Sequence, residues 1–140
     1  MRQILLFAVL ATSLALLSGC TLSKTKADTA EDMTDKAAYQ KISAEEAYEM
    51  MASQEVVVVD VRAREEYESG HIENAVLVPN ENIGSEMPEA LPDKEATLLI
   101  YCRSGRRSKD AAEKLLSLGY QSVYDFGGVI DWPYELVKEG

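Results

Sequence analysis

Between residues 55 and 61 the chain reads EVVVVDV, a β-branched run in which polar and apolar positions do not alternate. Such a run fits a strand buried on both faces of a parallel sheet, where neither side meets water. AVLVP (75–79) and TLLIYC (97–102) carry the same pattern, and SVYDF (122–126) is a further short strand. Helical signals fall between them. Ser43-Ala44-Glu45-Glu46 is a capping-box pattern, and Ala47, Met50 and Met51 follow it at helical spacing. REEYES (64–69) reads as a short helix ended by Gly70, and residues 80–95 read as a loop with a helical turn. The clearest helix runs from Ser108, its cap, to Leu118: Ala111, Leu115 and Leu118 form one stripe, and Gly119 stands at the C-cap. Val129 to Lys138 is predicted helical, with Pro133 near its first turn. Strands alternating with helices over about 100 residues predict an α/β domain with a mainly parallel sheet. In such sheets chemistry sits at the carboxyl ends of strands, and Cys102 lies at such an end.

The first residues break this pattern. Arg2 is followed by an almost wholly apolar stretch, Ile4 to Leu17, of 14 residues. That suits the apolar region of a signal peptide and falls short of the roughly 20 residues a spanning helix needs. The stretch closes on Leu17-Ser18-Gly19-Cys20, which resembles the lipobox of bacterial lipoproteins. The resemblance implies cleavage before Cys20 and acylation of its thiol and new amine, enough lipid for stable anchoring. The expected organisation is a signal peptide over 1–19, a polar lipid-anchored tether over 20–38 and one domain over 39–140, held outside the cytoplasm on a bacterial membrane.

Charge narrows the partners. Against 14 basic residues stand 24 acidic ones, a formal net charge of -10, which argues against nucleic acid. Positive charge gathers in one place, the loop CRSGRRS (102–108). With Cys20 acylated, Cys102 has no partner for a disulfide, so it is either an inert buried thiol or one kept because it reacts. A loop returning from a strand to a helix N-terminus aims several backbone N–H groups at one centre, and the helix dipole adds positive potential there. A cysteine facing that centre is held as its thiolate. Arg103, Arg106 and Arg107 push the same way, and Gly105 gives the backbone a conformation closed to other residues. Cations at a helix N-terminus oppose the dipole, an arrangement that makes sense when they serve an anionic ligand.

Three blocks, VVVVDVRAREEYESGHIENAVLVPN (56–80), LLIYCRSGRRS (98–108) and YDFGGVIDW (124–132), together resemble a single-domain rhodanese. The specific elements are Asp60 and Arg62 as D-x-R, Gly70 to Ile72 as G-H-I, and Gly127-Gly128 ahead of Trp132. Asn74 stands where the family usually has glycine before the alanine. The resemblance implies a five-stranded, mainly parallel sheet flanked by helices on both faces. It also implies a sulfurtransferase without a cofactor. Cys102 would take sulfur from a small anion such as thiosulfate as a persulfide and give it to cyanide or a thiol. The backbone of Arg103, Ser104, Gly105, Arg106, Arg107 and Ser108 would form the anion cradle, the arginines would attract the donor, and Asp60 and Arg62 would brace the region. Related phosphatases and arsenate reductases use a seven-residue C-x5-R loop. Here the nearest arginine is Arg107, one position short, so the loop has six members and the sulfur chemistry is favoured. A second reading is a carrier or docking module that loads sulfur once and waits for a partner.

His71, the only histidine, is given a structural role in holding a loop, and with one free thiol beside it no metal site is expected. Trp132 is assigned to core or rim, and Glu65, Glu66 and Glu68 to a solvated helix face.

Overall fold

A computed structural model describes residues 37–138. The signal peptide, Cys20 and most of the tether lie outside the described residues. Among those described, no helix is long and apolar enough to cross a membrane.

Five parallel strands form one sheet: β1 (Gln40–Lys41), β2 (Val57–Asp60), β3 (Val76–Leu77), β4 (Thr97–Cys102) and β5 (Ser122–Gly128), in the order β1-β5-β4-β2-β3. The two central strands carry the buried runs. Leu98, Leu99, Ile100 and Tyr101 of β4 are all at most 1% exposed, which is why the sequence there shows no polar alternation. On one face Val59, Leu98, Ile100, Cys102 and Val123 pack against Ala111, Ala112 and Leu115 of helix α3 (Arg106–Ser117). On the other, Val58, Leu99, Tyr101 and Phe126 pack with Ala47 of α1 (Ala44–Ser53) and Tyr67 of α2 (Arg64–Ser69). Helices therefore flank both faces, as expected.

The capping box forms as read: Ser43 Oγ accepts the Glu46 N–H, and Glu46 accepts the Ser43 N–H in return. Asn74 takes the left-handed conformation (φ 62°) that glycine would supply, so the turn before Ala75 survives the exchange.

Two expectations are corrected, and one strand was missed. Strand β1 was not signalled, because two polar residues at an edge show no periodicity. Helix α3 begins at Arg106, two residues before Ser108. Gly105, in the left-handed region at φ 97°, occupies the cap position and turns the chain early. The helix expected over Val129 to Lys138 does not form. Only a 3-10 turn, Val129–Asp131, is present. Trp132 is extended (φ -77°, ψ 115°), the conformation that a following proline imposes by steric conflict. Beyond Pro133 the chain instead pairs antiparallel with the loop after α2, exchanging two hydrogen bonds between Val137 and His71.

Candidate active site

Strand β4 delivers Cys102 to the carboxyl edge of the sheet, and Gly105 turns the chain straight into α3. The turn wraps the loop around the sulfur: the Gly105 N–H donates to Cys102 Sγ at 3.1 Å, and Ser108 Oγ lies 3.7 Å from it. Burial alone would push the thiol pKa up. The N–H and hydroxyl of Ser108 and the N–H groups of Ser104 and Gly105 outweigh it, holding the thiol below its ordinary value. The Gly105 N–H thus faces the sulfur, which is nearly sealed: the residue is 1% exposed. The hydroxyl of Ser108, itself fully buried, has the Gly105 carbonyl (3.0 Å), the Gly127 carbonyl (3.3 Å) and the sulfur as alternative acceptors for its one proton. It is the third residue of α3, so its own N–H is one of those a helix start leaves unpaired.

The glycine pair at the end of β5 forms the floor. A Cβ on Gly128 would stand 2.3 Å from the Arg103 carbonyl oxygen and 2.6 Å from Ser104 Cα. Gly128 is thus there for close approach, its φ of -122° being open to any residue.

The three arginines separate. Arg103 and Arg106 are exposed on the rim. Arg107 turns to α2 and forms a two-pronged pair with Glu66, at 2.7 and 2.9 Å. The hydrogen bond from Arg107 is the main reason the Glu66 carboxyl sits below its ordinary value. Arg107 is held charged first by Glu66 and further by the sulfur of Cys102. Glu66 therefore corrects the solvated-face reading: it is half-buried, while Glu65 and Glu68 are exposed. Nothing in the sequence joins positions 41 residues apart.

Asp60 and Arg62 lie behind the site, on the far side of Tyr101. Arg62 Nε and a terminal nitrogen grip Asp60 at 2.6 to 3.0 Å, and the same terminal nitrogen reaches the Gly70 carbonyl. Tyr101 donates to Asp60 at 2.6 Å and accepts the Ile72 N–H. Because Tyr101 precedes Cys102, this buried network fixes the strand that carries the thiol. His71 stacks on Tyr67 at 3.7 Å, with Nδ1 2.9 Å from the Tyr67 carbonyl, a structural arrangement. Trp132 packs against Phe126 and Tyr134. Among the described residues no cluster of His, Cys, Asp and Glu could hold a metal.

Comparison with known proteins agrees with this fold. A rhodanese from E. coli superposes with a TM-score of 0.54 at 35% identity, covering 59% of this chain and 98% of that one. A human single-domain sulfurtransferase gives 0.60 at 28%, covering 66% and 93%. A rhodanese-like domain protein from Staphylococcus aureus gives 0.62 at 31%, covering 72% and 99%. Among curated relatives, the tRNA uridine(34) hydroxylase of Hamiltonella defensa is 36% identical over 76% of this chain, which spans only 32% of that protein. The model of the rhodanese-like domain matches residues 43–133, and the chain belongs to that family.

Proposed function

We propose that the chain is a sulfurtransferase that moves sulfane sulfur through a persulfide on Cys102. The observation that carries this reading is the buried Cys102 sulfur at the strand end, with the Gly105 N–H donating to it at 3.1 Å and Ser108 Oγ 3.7 Å away. The Cys102 thiolate attacks the outer sulfur of thiosulfate. A bond forms between Sγ and that sulfur, the bond to the second sulfur breaks, and sulfite leaves with the electron pair. The terminal persulfide anion then occupies the cradle, where N–H dipoles stabilise it. Cyanide or a thiolate attacks the terminal sulfur and restores the Cys102 thiolate, which makes the kinetics ping-pong. No oxidant or cofactor enters the balance. Arg103 and Arg106, on the rim, attract the donor, and the narrow access favours small donors over bulky ones. We further propose acylation at Cys20, which would hold the domain outside the cytoplasm on a membrane. The RNA chemistry in the curated relatives' name belongs to proteins about two and a half times this length, and the net charge of -10 argues against it here.

Intact-mass spectrometry after thiosulfate treatment tests the reading. The wild-type chain should gain one sulfur atom and release it to cyanide, while Cys102→Ser should gain none. A serine variant that turns over thiosulfate at the wild-type rate overturns the mechanism. Loading without turnover identifies a carrier instead.

A further inference from the structure

Asp125 has no part in the steps above, yet it is fully buried on the face that carries Cys102. One oxygen accepts the Gly127 N–H at 2.9 Å and the other accepts the Tyr39 hydroxyl at 2.6 Å. Burial first, and then Asp125, raises the Tyr39 pKa above its ordinary value, so the hydroxyl remains a donor. Lys41, at the end of edge strand β1, brings its ammonium to 3.5 Å from the same carboxylate, with its side chain 58% exposed. That ammonium also lies 3.8 and 3.7 Å from the positions a Cβ would take on Gly105 and Gly127. It therefore stands against the backbone whose N–H holds the sulfur.

Two short routes connect Asp125 to the thiol. Gly127, which it grips, accepts from Ser108, and Gly105, on which a Cβ would stand 3.5 Å from Gly127 Cα, donates to Sγ. A buried carboxylate linked to the sulfur through these backbone contacts opposes a sulfur anion by like charge. The other charged groups around it are spoken for: Lys109 stands over the Tyr39 ring and pairs with Glu113, which also acts on Tyr39, and Arg107 pairs with Glu66. Among the described residues, Lys41 is the cation that pairs with Asp125.

We propose that Lys41 is a positioning residue whose ammonium cancels the charge of Asp125, so that this carboxylate can hold the Gly127 turn without repelling the anion on Cys102. Only the donor-affinity arm of the test rests on the sulfurtransferase reading. The full chain is compared as wild type, Lys41→Met, Lys41→Arg and Lys41→Met/Asp125→Asn. The rate of iodoacetamide alkylation at Cys102 is followed against pH by peptide mass spectrometry. Lys41→Met should shift the midpoint upward and lower the alkylation rate at pH 7 roughly three- to tenfold, as expected for a charge acting within a Debye length. Lys41→Arg should keep the wild-type midpoint, and Asp125→Asn should bring Lys41→Met back to it. The thiosulfate KM should rise in Lys41→Met by a similar factor and recover in the double variant. An unchanged midpoint in Lys41→Met overturns the proposal, as does a Lys41→Arg midpoint that moves with it or a double variant that keeps the full shift. If the wild type takes no sulfur from thiosulfate, the proposed function fails while the alkylation result still decides the role of Lys41.

Discussion

Adding a single methyl group at Gly128 should separate the fold from the chemistry. The new Cβ would meet the Arg103 oxygen at 2.3 Å, Ser104 Cα at 2.6 Å and the Arg103 carbonyl carbon at 2.8 Å. All three are backbone atoms, so no side chain can swing away. Restoring ordinary contact requires the loop to rise by about 1 Å, since tightly packed interiors do not absorb overlap by compression. Overpacking of this kind costs about 1–3 kcal/mol of stability, within what a domain of this size tolerates. Catalysis should suffer far more. The carbonyl that moves belongs to Arg103, and the N–H groups that follow it in the loop define the cradle. A misplacement of about 1 Å costs on the order of a hundredfold in rate. For Gly128→Ala the expected result is a folded protein, by urea unfolding, with kcat/KM for thiosulfate reduced about a hundredfold. Its thiol pKa should rise as the N–H donors leave the sulfur. Wild-type kcat/KM together with an unchanged thiol pKa would refute the claim that the glycine floor sets the cradle.

Two other substitutions probe the supports. Ser108→Ala removes one of the groups that lower the Cys102 pKa. Activity rises as the thiol ionises, so a weaker depression moves the rising limb of the pH–rate profile to higher pH. At pH 7 kcat/KM should fall on the order of tenfold and recover at higher pH, and a pH profile that superposes on the wild type's would remove Ser108 from the account. Asp60→Ala strands the Arg62 charge in the interior, a loss of about 3–5 kcal/mol in denaturant unfolding. An unfolding midpoint within error of wild type would remove the Asp60 network from the account.

Much of this was legible in the chain, and the failures have physical causes. The buried strands announced themselves because Val57–Asp60 and Thr97–Cys102 lie inside the sheet and admit few polar side chains. The thiol loop was legible because cysteine, glycine and arginines follow directly on such a strand. Ser108 misled because serine prefers a cap, whereas the helix start is set by the backbone freedom of Gly105. Pro133 misled too. Its ring suits a first helical turn, but its effect on Trp132 and the pairing of Val137 with His71 decided the segment. Glu66 with Arg107 and Lys41 with Asp125 could not be read at all, since such pairs exist only once distant elements meet.

Cys102 is pinned from two sides, by the Asp60–Arg62–Tyr101 network beneath one face of the sheet and by Ser108 and the glycine floor above the other. The side chains of Arg103, Ser104 and Arg106 point outward, with no hydrogen bond or ion pair of their own among the described residues. Natural variation can therefore exchange those three rim residues and explore new sulfur sources almost freely, while every drift in the foundations is penalised at once. A scaffold divided in this way is easy to retarget and hard to repurpose.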